Sequence, residues 1–154
     1  METCLQRLLP CLLLFFLIPL SAQQRGYESG YVITLEGDTL NGWVKDRSAE
    51  PYVELFRRIR FRQEGKKGRR KYGPDQIRGY ASGGRIYESL PLLEESTFFR
   101  LRYYLDTQAD PKFLRVIRSD GPLTWYQQEF VYDDNNYLDS YPLFSLEGNR
   151  EMVR

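Results

Sequence analysis

From Gly26 onward, short segments rich in Tyr, Phe, Val and Ile alternate with turns that contain Gly or Pro. Aromatic and β-branched residues favour strands, and such frequent Gly and Pro residues interrupt any long helix. The pattern therefore predicts a mainly β fold, in which short antiparallel hairpins form a small barrel or a sandwich-like domain. Helical periodicity is limited to residues 74–77 and 91–95, so we expect at most one or two short helices.

Several turn sequences predict which segments pair. Residues 36–38, 83–84 and 119–122 each lie between two β-forming segments and are predicted to close hairpins. We expect Gly37 to supply a positive φ, whereas Gly42 in the returning segment could mark a bulge. Further strands are expected at residues 98–105, 129–132 and 141–146.

Residues 1–22 have the pattern of a secretory signal peptide. A positive start at Arg7 precedes an apolar run over residues 8–20, which is shorter than the roughly 20 residues that a transmembrane helix needs. Small residues follow the run, and cleavage after Ala22 or after Gln23 fits the pattern equally well. The alternative interpretation is an uncleaved membrane anchor.

The mature chain has the pattern of one domain. No linker or low-complexity segment interrupts residues 26–150, so we expect a single β-rich domain there, with possible sub-sheets at residues 26–90 and 98–150. Both cysteines, Cys4 and Cys11, lie in the leader. The mature chain is therefore predicted to have neither a disulfide nor a thiol nucleophile.

The chain contains no histidine. Histidine is the commonest general base and metal ligand, so a Ser-His-Asp triad and a His-ligated zinc site are both excluded. The formal net charge of +1 excludes a uniformly basic nucleic-acid-binding domain. We expect no cofactor and no metal. Residues 133–136, Asp-Asp-Asn-Asn, offer oxygen ligands, but they lack the spacing of a calcium loop and are interpreted as a turn.

A basic segment is the strongest candidate for a binding site. It contains nine Lys or Arg, namely Arg57, Arg58, Arg60, Arg62, Lys66, Lys67, Arg69, Arg70 and Lys71, which only Glu64 opposes. If residues 57–62 and 69–72 pair as a hairpin, several of these cations share one face and one loop. Such a surface binds phosphate or carboxylate groups. The alternative is a solvated hairpin whose cations keep an edge strand soluble.

The compartment narrows the choice of partner for this basic segment. An exported protein meets anionic envelope glycans, lipid headgroups and acidic proteins, and each of these carries the charge that the segment would attract. Nucleic acid is not expected outside the cytoplasm.

Paired carboxylates are the remaining hydrolytic option. The candidates are Glu94, Glu95, Asp106, Asp110 and Glu129. Two carboxyl groups about 5–9 Å apart can cleave a glycosidic bond, but nothing in the sequence brings two of these residues together. We therefore do not expect an enzyme. A carboxylate-based hydrolase that acts on an envelope or extracellular glycan is the alternative.

Six stretches carry a resemblance to a known family. They are GYVITLEGDTLNGWV (30–44), IRF (59–61), YGPDQIRGY (72–80), YES (87–89), FLRVI (113–117) and GPLTWY (121–126). Together with the leader end at residues 21–23, they resemble exported β-rich proteins that are common in Bacteroidota. No activity is established for that family, so the resemblance implies a location and a fold but no reaction. Its members continue beyond the end of this chain, which implies that the chain is a shortened version.

These features predict an exported, non-enzymatic module that binds or scaffolds at the cell envelope. The expected location is the periplasm, the periplasmic face of the outer membrane, or the outside of the cell. No transmembrane segment is expected in the mature chain.

Overall fold

The computed structural model describes residues 26–49, 54–98, 100–132 and 137–154. The predicted signal peptide and the turn expected at residues 133–136 lie outside this part of the chain. The described residues form eleven β-strands and no helix. In the same residues there is no apolar helix long enough to cross a membrane.

The predicted mainly β, antiparallel fold is confirmed. The strands are β1 (Glu28–Thr34), β2 (Thr39–Arg47), β3 (Leu55–Gln63), β4 (Arg70–Tyr72), β5 (Ile77–Ser82), β6 (Arg85–Thr97), β7 (Arg100–Leu105), β8 (Pro111–Asp120), β9 (Leu123–Tyr132), β10 (Tyr137–Leu146) and β11 (Glu151–Met152). Neither of the two segments considered for a short helix is helical among the described residues, which agrees with the expectation of at most one or two helices. Residues 91–95 lie within β6, and residues 74–76 form a turn in which the amide of Gln76 donates to the carbonyl of Gly73 at 3.1 Å.

The strands form one antiparallel sheet. Its main path runs β10-β9-β8-β6-β5-β1-β2-β3-β4, and β4 and β10 end it, so the sheet is not closed. The first part of β6 pairs with β5 and β8, whereas its residues from Leu92 onward pair with β7, which pairs in turn with β11. This strand is therefore where the two halves of the sheet meet. Its pairing also explains why residues 91–95 are extended, because tertiary contacts override a weak helical preference.

The predicted hairpins are observed. Residues 35–38 join β1 to β2, and residues 83–84 join β5 to β6. The turn between β8 and β9 is shorter than the predicted 119–122, because Ser119 and Asp120 continue β8 and leave only Gly121 and Pro122 between the strands. Gly83 and Gly84 have φ values of 54° and 81°, and Gly37 has a φ of 100°. Two successive positive φ values are those of a two-residue hairpin turn, which glycine adopts without steric cost.

Gly42 does not form the bulge that its position suggests. It faces Gly30 in register, and the register between β2 and β3 shifts instead between Lys45 and Arg47. A Cβ atom at Gly42 would lie 2.0 Å from the carbonyl oxygen of Arg62. Glycine is therefore required because the backbones of β2 and β3 approach so closely here.

Two hydrophobic cores lie on opposite faces of the sheet. The first core consists of Val32, Val44, Ile59, Phe61, Ile77, Tyr80 and Tyr87. The second consists of Leu92, Tyr103, Leu114, Tyr126, Leu143 and Met152. Phe113 packs against the first core, and its neighbour Leu114 belongs to the second. Since successive residues of a strand point to opposite sides, we call the two sides the first face and the second face, after their cores.

Replacing Gly42 by alanine should lower the free energy of unfolding by about 1–3 kcal/mol, because the new methyl group has to displace the backbone of β3. Asn41→Ala, at the exposed neighbouring position of the same strand, is the control and should stay within about 0.5 kcal/mol of the original protein. Urea unfolding followed by circular dichroism measures both. Equal stability of the two variants would contradict the close approach of the strands.

Candidate anion-binding site

The predicted pairing between the two parts of the basic segment is observed as the β3–β4 hairpin. Arg60 pairs in register with Lys71 of β4, and Arg62 pairs with Trp43 of β2. Phe61, between the two arginines, belongs to the first core. Because alternate residues of a strand point to opposite sides, Arg60, Arg62 and Lys71 lie on the second face.

Aromatic rings support two of these arginines. The guanidinium carbon of Arg60 lies 4.5 Å from the ring centroid of Phe56, and that of Arg62 lies 4.4 Å from the ring centroid of Tyr27. A cation over a ring face is attracted by the ring electrons, which restrains a long side chain without neutralising its charge. The hydroxyl of Tyr27 is buried and makes no hydrogen bond to any described residue. It is therefore an uncommitted polar group beside Arg62.

A hollow of about 560 Å³ lies beside Arg62 under the β3–β4 loop. We call it the cationic hollow, and define it by Trp43, Arg62, Lys66, Lys67 and Arg69. Gly65 and Gly68 in the loop have positive φ values of 71° and 100°, so the loop turns sharply and places its lysines on the rim. The indole of Trp43 is 39% exposed and forms part of the wall.

None of the nine predicted binding residues forms an ion pair with a carboxylate in the part of the chain that the structure describes. Other exposed cations behave differently, since Arg118 pairs with Asp120 at 3.0 Å and Arg150 pairs with Asp106 at 3.2 Å. The basic hairpin is thus a place where positive charge accumulates without internal compensation.

The nine residues do not all converge. Arg60, Arg62 and Lys71 share the second face, and Lys66, Lys67 and Arg69 line the loop beside them. The other three lie elsewhere: Arg57 and Arg58 line a cavity on the first face, and Arg70 approaches the hydroxyl of Tyr72 at 3.5 Å. The cationic hollow therefore contains only part of the predicted set, together with Trp43, which the sequence analysis did not place there.

The cavity on the first face has a volume of about 670 Å³ and a polar floor. Arg47 organises that floor. Its Nε donates to Asp46 at 3.1 Å, and its Nη2 donates to Glu129 at 2.9 Å and to the Tyr87 hydroxyl at 2.6 Å. Asp46 and Glu129 are 4% and 8% exposed. We call these four residues the ionic cluster.

The ionic cluster joins strands that are not neighbours. Arg47 ends β2, and Glu129 lies on β9, with β1, β5, β6 and β8 between them in the sheet. A direct contact between such distant strands requires the sheet to curl around its first face. Arg115 adds a further contact at 3.5 Å to the other oxygen of Glu129.

Burial holds the tyrosines of this region in their neutral form. Burial, and then the negative charge of Glu129, raise the pKa of Tyr87, whose hydroxyl donates to that carboxylate at 2.7 Å. Burial and then Asp46 raise the pKa of Tyr80, whose ring stacks on Tyr87 with centroids 4.6 Å apart. On the other face, burial is again the largest cause of the raised pKa of Tyr126 and of Tyr141.

Two of the carboxylates considered for a hydrolase, Glu129 and Asp110, line this cavity, and Asp46 lines it as well. Asp46 and Glu129 are both engaged. Asp46 and Glu129 accept hydrogen bonds from the same guanidinium nitrogen of Arg47, at 3.2 Å and 2.9 Å. A glycosidase needs one carboxylic acid that can give up a proton to the leaving group. Glu129 instead accepts hydrogen bonds from Arg47, Tyr87 and Arg115. This arrangement is that of a structural ion cluster.

The other carboxylate candidates are not all separate. Asp110 lines the same cavity as Glu129, and Glu95 and Asp106 together line a smaller hollow of about 490 Å³. Asp106 pairs with Arg150 at 3.2 Å, and Glu94 pairs with Lys112 at 3.8 Å. Among the described residues, no group of three acidic side chains is placed to hold a metal ion. Residues 133–136 lie outside the described part of the chain.

Asp46 was not foreseen as a member of any site. One feature of the sequence could have indicated it. Leu40 and Val44 set an alternation in β2 that places an apolar side chain at position 46, where the chain has an aspartate. Comparisons of the chain with protein-family models, with curated proteins and with solved structures find no match. The functional conclusion therefore depends on the geometry of the hollow and the cavity.

Arg47→Met should lower the free energy of unfolding by about 3 kcal/mol, because it removes the cation that the buried Asp46 and Glu129 share. Only the longer contacts of Arg85 to Asp46 at 3.6 Å and of Arg115 to Glu129 at 3.5 Å then remain. Arg118→Met is the matched control, since Arg118 and its partner Asp120 are both 73% exposed. The control should show no measurable change, because water screens that pair. Chemical unfolding of both variants measures the difference, and an equal effect would show that the ionic cluster does not bear on stability.

In a pH titration, the buried tyrosine hydroxyls should ionise at higher pH than the exposed ones. Because folding raises the pKa of Tyr80, Tyr87, Tyr126 and Tyr141, their contribution to stability is complete below about pH 10 and is lost as the pH rises through their higher folded values. Absorbance at the tyrosinate band should show a late-titrating group that disappears in denaturant. A titration identical in the folded and unfolded chain would refute this.

Proposed function

We propose that the protein is a non-enzymatic binding module of the cell envelope, and that the cationic hollow binds a ligand carrying phosphate or carboxylate groups. One observation carries the proposal. Six basic residues on one face and one loop have no carboxylate partner among the described residues. Arginine matches the geometry of both anions, and lysine adds charge at the rim.

The solvated-edge alternative accounts for only part of this arrangement. The edge strand β4 has three residues, and Lys or Arg on such an edge would prevent pairing with another chain. However, Arg60 and Arg62 belong to β3, which is paired on both sides. Their restraint over Phe56 and Tyr27 lowers the side-chain entropy that binding an anion would otherwise cost.

The uncommitted hydroxyl of Tyr27 supports a ligand at the same place. A buried hydroxyl is normally hydrogen-bonded, and an anion held by Arg62 would accept from it. Trp43 offers an apolar wall that favours a ligand with a non-polar or sugar portion beside its charge.

The envelope location is proposed from the leader pattern and from the resemblance to exported proteins. Expression in a bacterium with an outer membrane, followed by cell fractionation and N-terminal sequencing of the product, tests this location. A start at residue 23 or 24 supports export, and an intact leader on a cytoplasmic product contradicts it.

Replacing Arg62 and Lys66 by serine should weaken binding of soluble polyphosphate by at least about tenfold and should flatten its dependence on salt. Arg118→Ser with Arg150→Ser removes the same charge from outside the hollow and is the matched control. Calorimetric titrations at about 50 mM and about 200 mM NaCl measure both effects. Equal losses in the two variants would mean that net charge, and not the hollow, attracts the anion.

A further inference from the structure

The second face carries an apolar groove next to its cations. The groove has a volume of about 750 Å³, and its walls include Tyr31 and Ile33 of β1 and Ile86 and Leu90 of β6. Ile86 is 45% exposed, and it is the second residue of β6, directly after the Gly83-Gly84 turn. The groove is therefore an apolar surface that is open to solvent at Ile86.

The register explains why a groove forms there. Gly79 on β5 pairs with Ile33 on one side and with Glu88 on the other, and Ala81 pairs with Tyr31 and Ile86. Small residues therefore occupy the central strand, and larger side chains stand on the strands that flank it. The trough is a consequence of residue size along three paired strands.

The cationic hollow and the groove share one face but have no lining residue in common. Trp43 of the hollow pairs with Ser29, and Tyr31 of the groove is the next residue of β1 on that face, so Trp43 and Tyr31 are diagonal neighbours with Cα atoms about 7–8 Å apart. The strand order β3-β2-β1-β5 separates Arg62 from the floor of the groove by about 14 Å across the strands, and the register adds about 7 Å along them. A single ligand with a charged end and an alkyl chain of medium length can reach both.

Charge also sets the direction in which such a ligand lies. Glu88 borders the groove on β6 and accepts a hydrogen bond from the Tyr126 hydroxyl at 2.7 Å. Asp75 and Arg78 also line the groove, so its charged side chains sum to −1, whereas the four basic side chains of the cationic hollow sum to +4. The anionic end of a ligand is therefore attracted to the hollow and not to the groove.

We propose that the second face binds an anionic amphiphile, with its phosphate or carboxylate in the cationic hollow and its alkyl chain in the groove over β1, β5 and β6. This proposal depends on the proposed function, because the same hollow holds the charged end. It adds the chemical class of the ligand. No covalent step is involved.

A homologous series of alkyl phosphates, used as monomers below their micelle concentrations, tests the proposal by calorimetry. Two added methylene groups should tighten the Kd about tenfold until the groove is filled, and inorganic phosphate should bind far more weakly. Ile86→Gln should raise the Kd for dodecyl phosphate by about tenfold and should leave the Kd for polyphosphate unchanged. Leu123→Gln is the matched control, because Leu123 is also 45% exposed and lies outside the groove.

Thermal melts show whether each variant is folded. If Ile86→Gln does not fold, Leu35→Gln takes its place, because Leu35 is also exposed and also lines the groove. The outcomes separate the two proposals. Loss of polyphosphate binding in the hollow variant without any effect of chain length overturns the amphiphile and leaves the proposed function standing. Tight binding of a soluble polyuronate that Ile86→Gln does not change identifies a glycan ligand and also overturns it. If no anion binds, both proposals fail.

Discussion

The contact between Arg47 and Glu129 joins two parts of the sheet that backbone hydrogen bonds do not join. Four strands separate β2 from β9 along the sheet, so the contact is made through space across the first face. A guanidinium has enough donors to meet Asp46, Glu129 and the Tyr87 hydroxyl together, which a lysine ammonium could not match in this planar geometry. A buried ion pair adds little net stability, because taking charges out of water is costly, so we interpret the ionic cluster as the feature that selects the curvature of this sheet.

That curvature makes the two faces different. The first face lies on the inside of the bend and encloses the cavity with its polar floor. The second face of the same strands lies on the outside of the bend, where Trp43 and Ile86 are partly exposed. Both features of the proposed ligand site, the hollow and the groove, are on this second side. The buried cluster and the binding surface are thus two consequences of one bend, although they share no side chain.

The charges divide along the same line. Arg47, Arg85 and Arg115 each have a carboxylate partner within the first face. The cations of the β3–β4 hairpin have none among the described residues, and the chain as a whole is nearly neutral, with 22 basic and 21 acidic residues. Recognition of an anion would therefore arise from a local field and not from net charge. This is why the formal charge excluded a broadly basic binder and yet left this surface possible.

Local sequence patterns predict the strands and hairpins of this fold, but they do not predict contacts between residues that are far apart in the chain. Gly83-Gly84 predicted its hairpin because successive glycines favour that turn, and the basic hairpin followed from alternation along β3. Residues 91–95 were a candidate for a short helix, but they are extended because they pair with β7 and β8. The ionic cluster could not be foreseen, since Arg47 and Glu129 are 82 residues apart and no local pattern links them.

The alternation of apolar and polar residues along the strands can be compared with the positions of the two cores. Where a sheet has a core on one side only, the strands should alternate between apolar residues facing that core and polar residues facing water. At Arg60 and Arg62 of β3 this holds, because both lie on the side away from the first core. On β1, β2 and β6 it fails, because Tyr31, Trp43 and Ile86 lie on that same side and are apolar. Tyr31 is half-buried, whereas Trp43 and Ile86 are 39% and 45% exposed. These apolar side chains beside the arginines are the surface that the proposed ligand would cover.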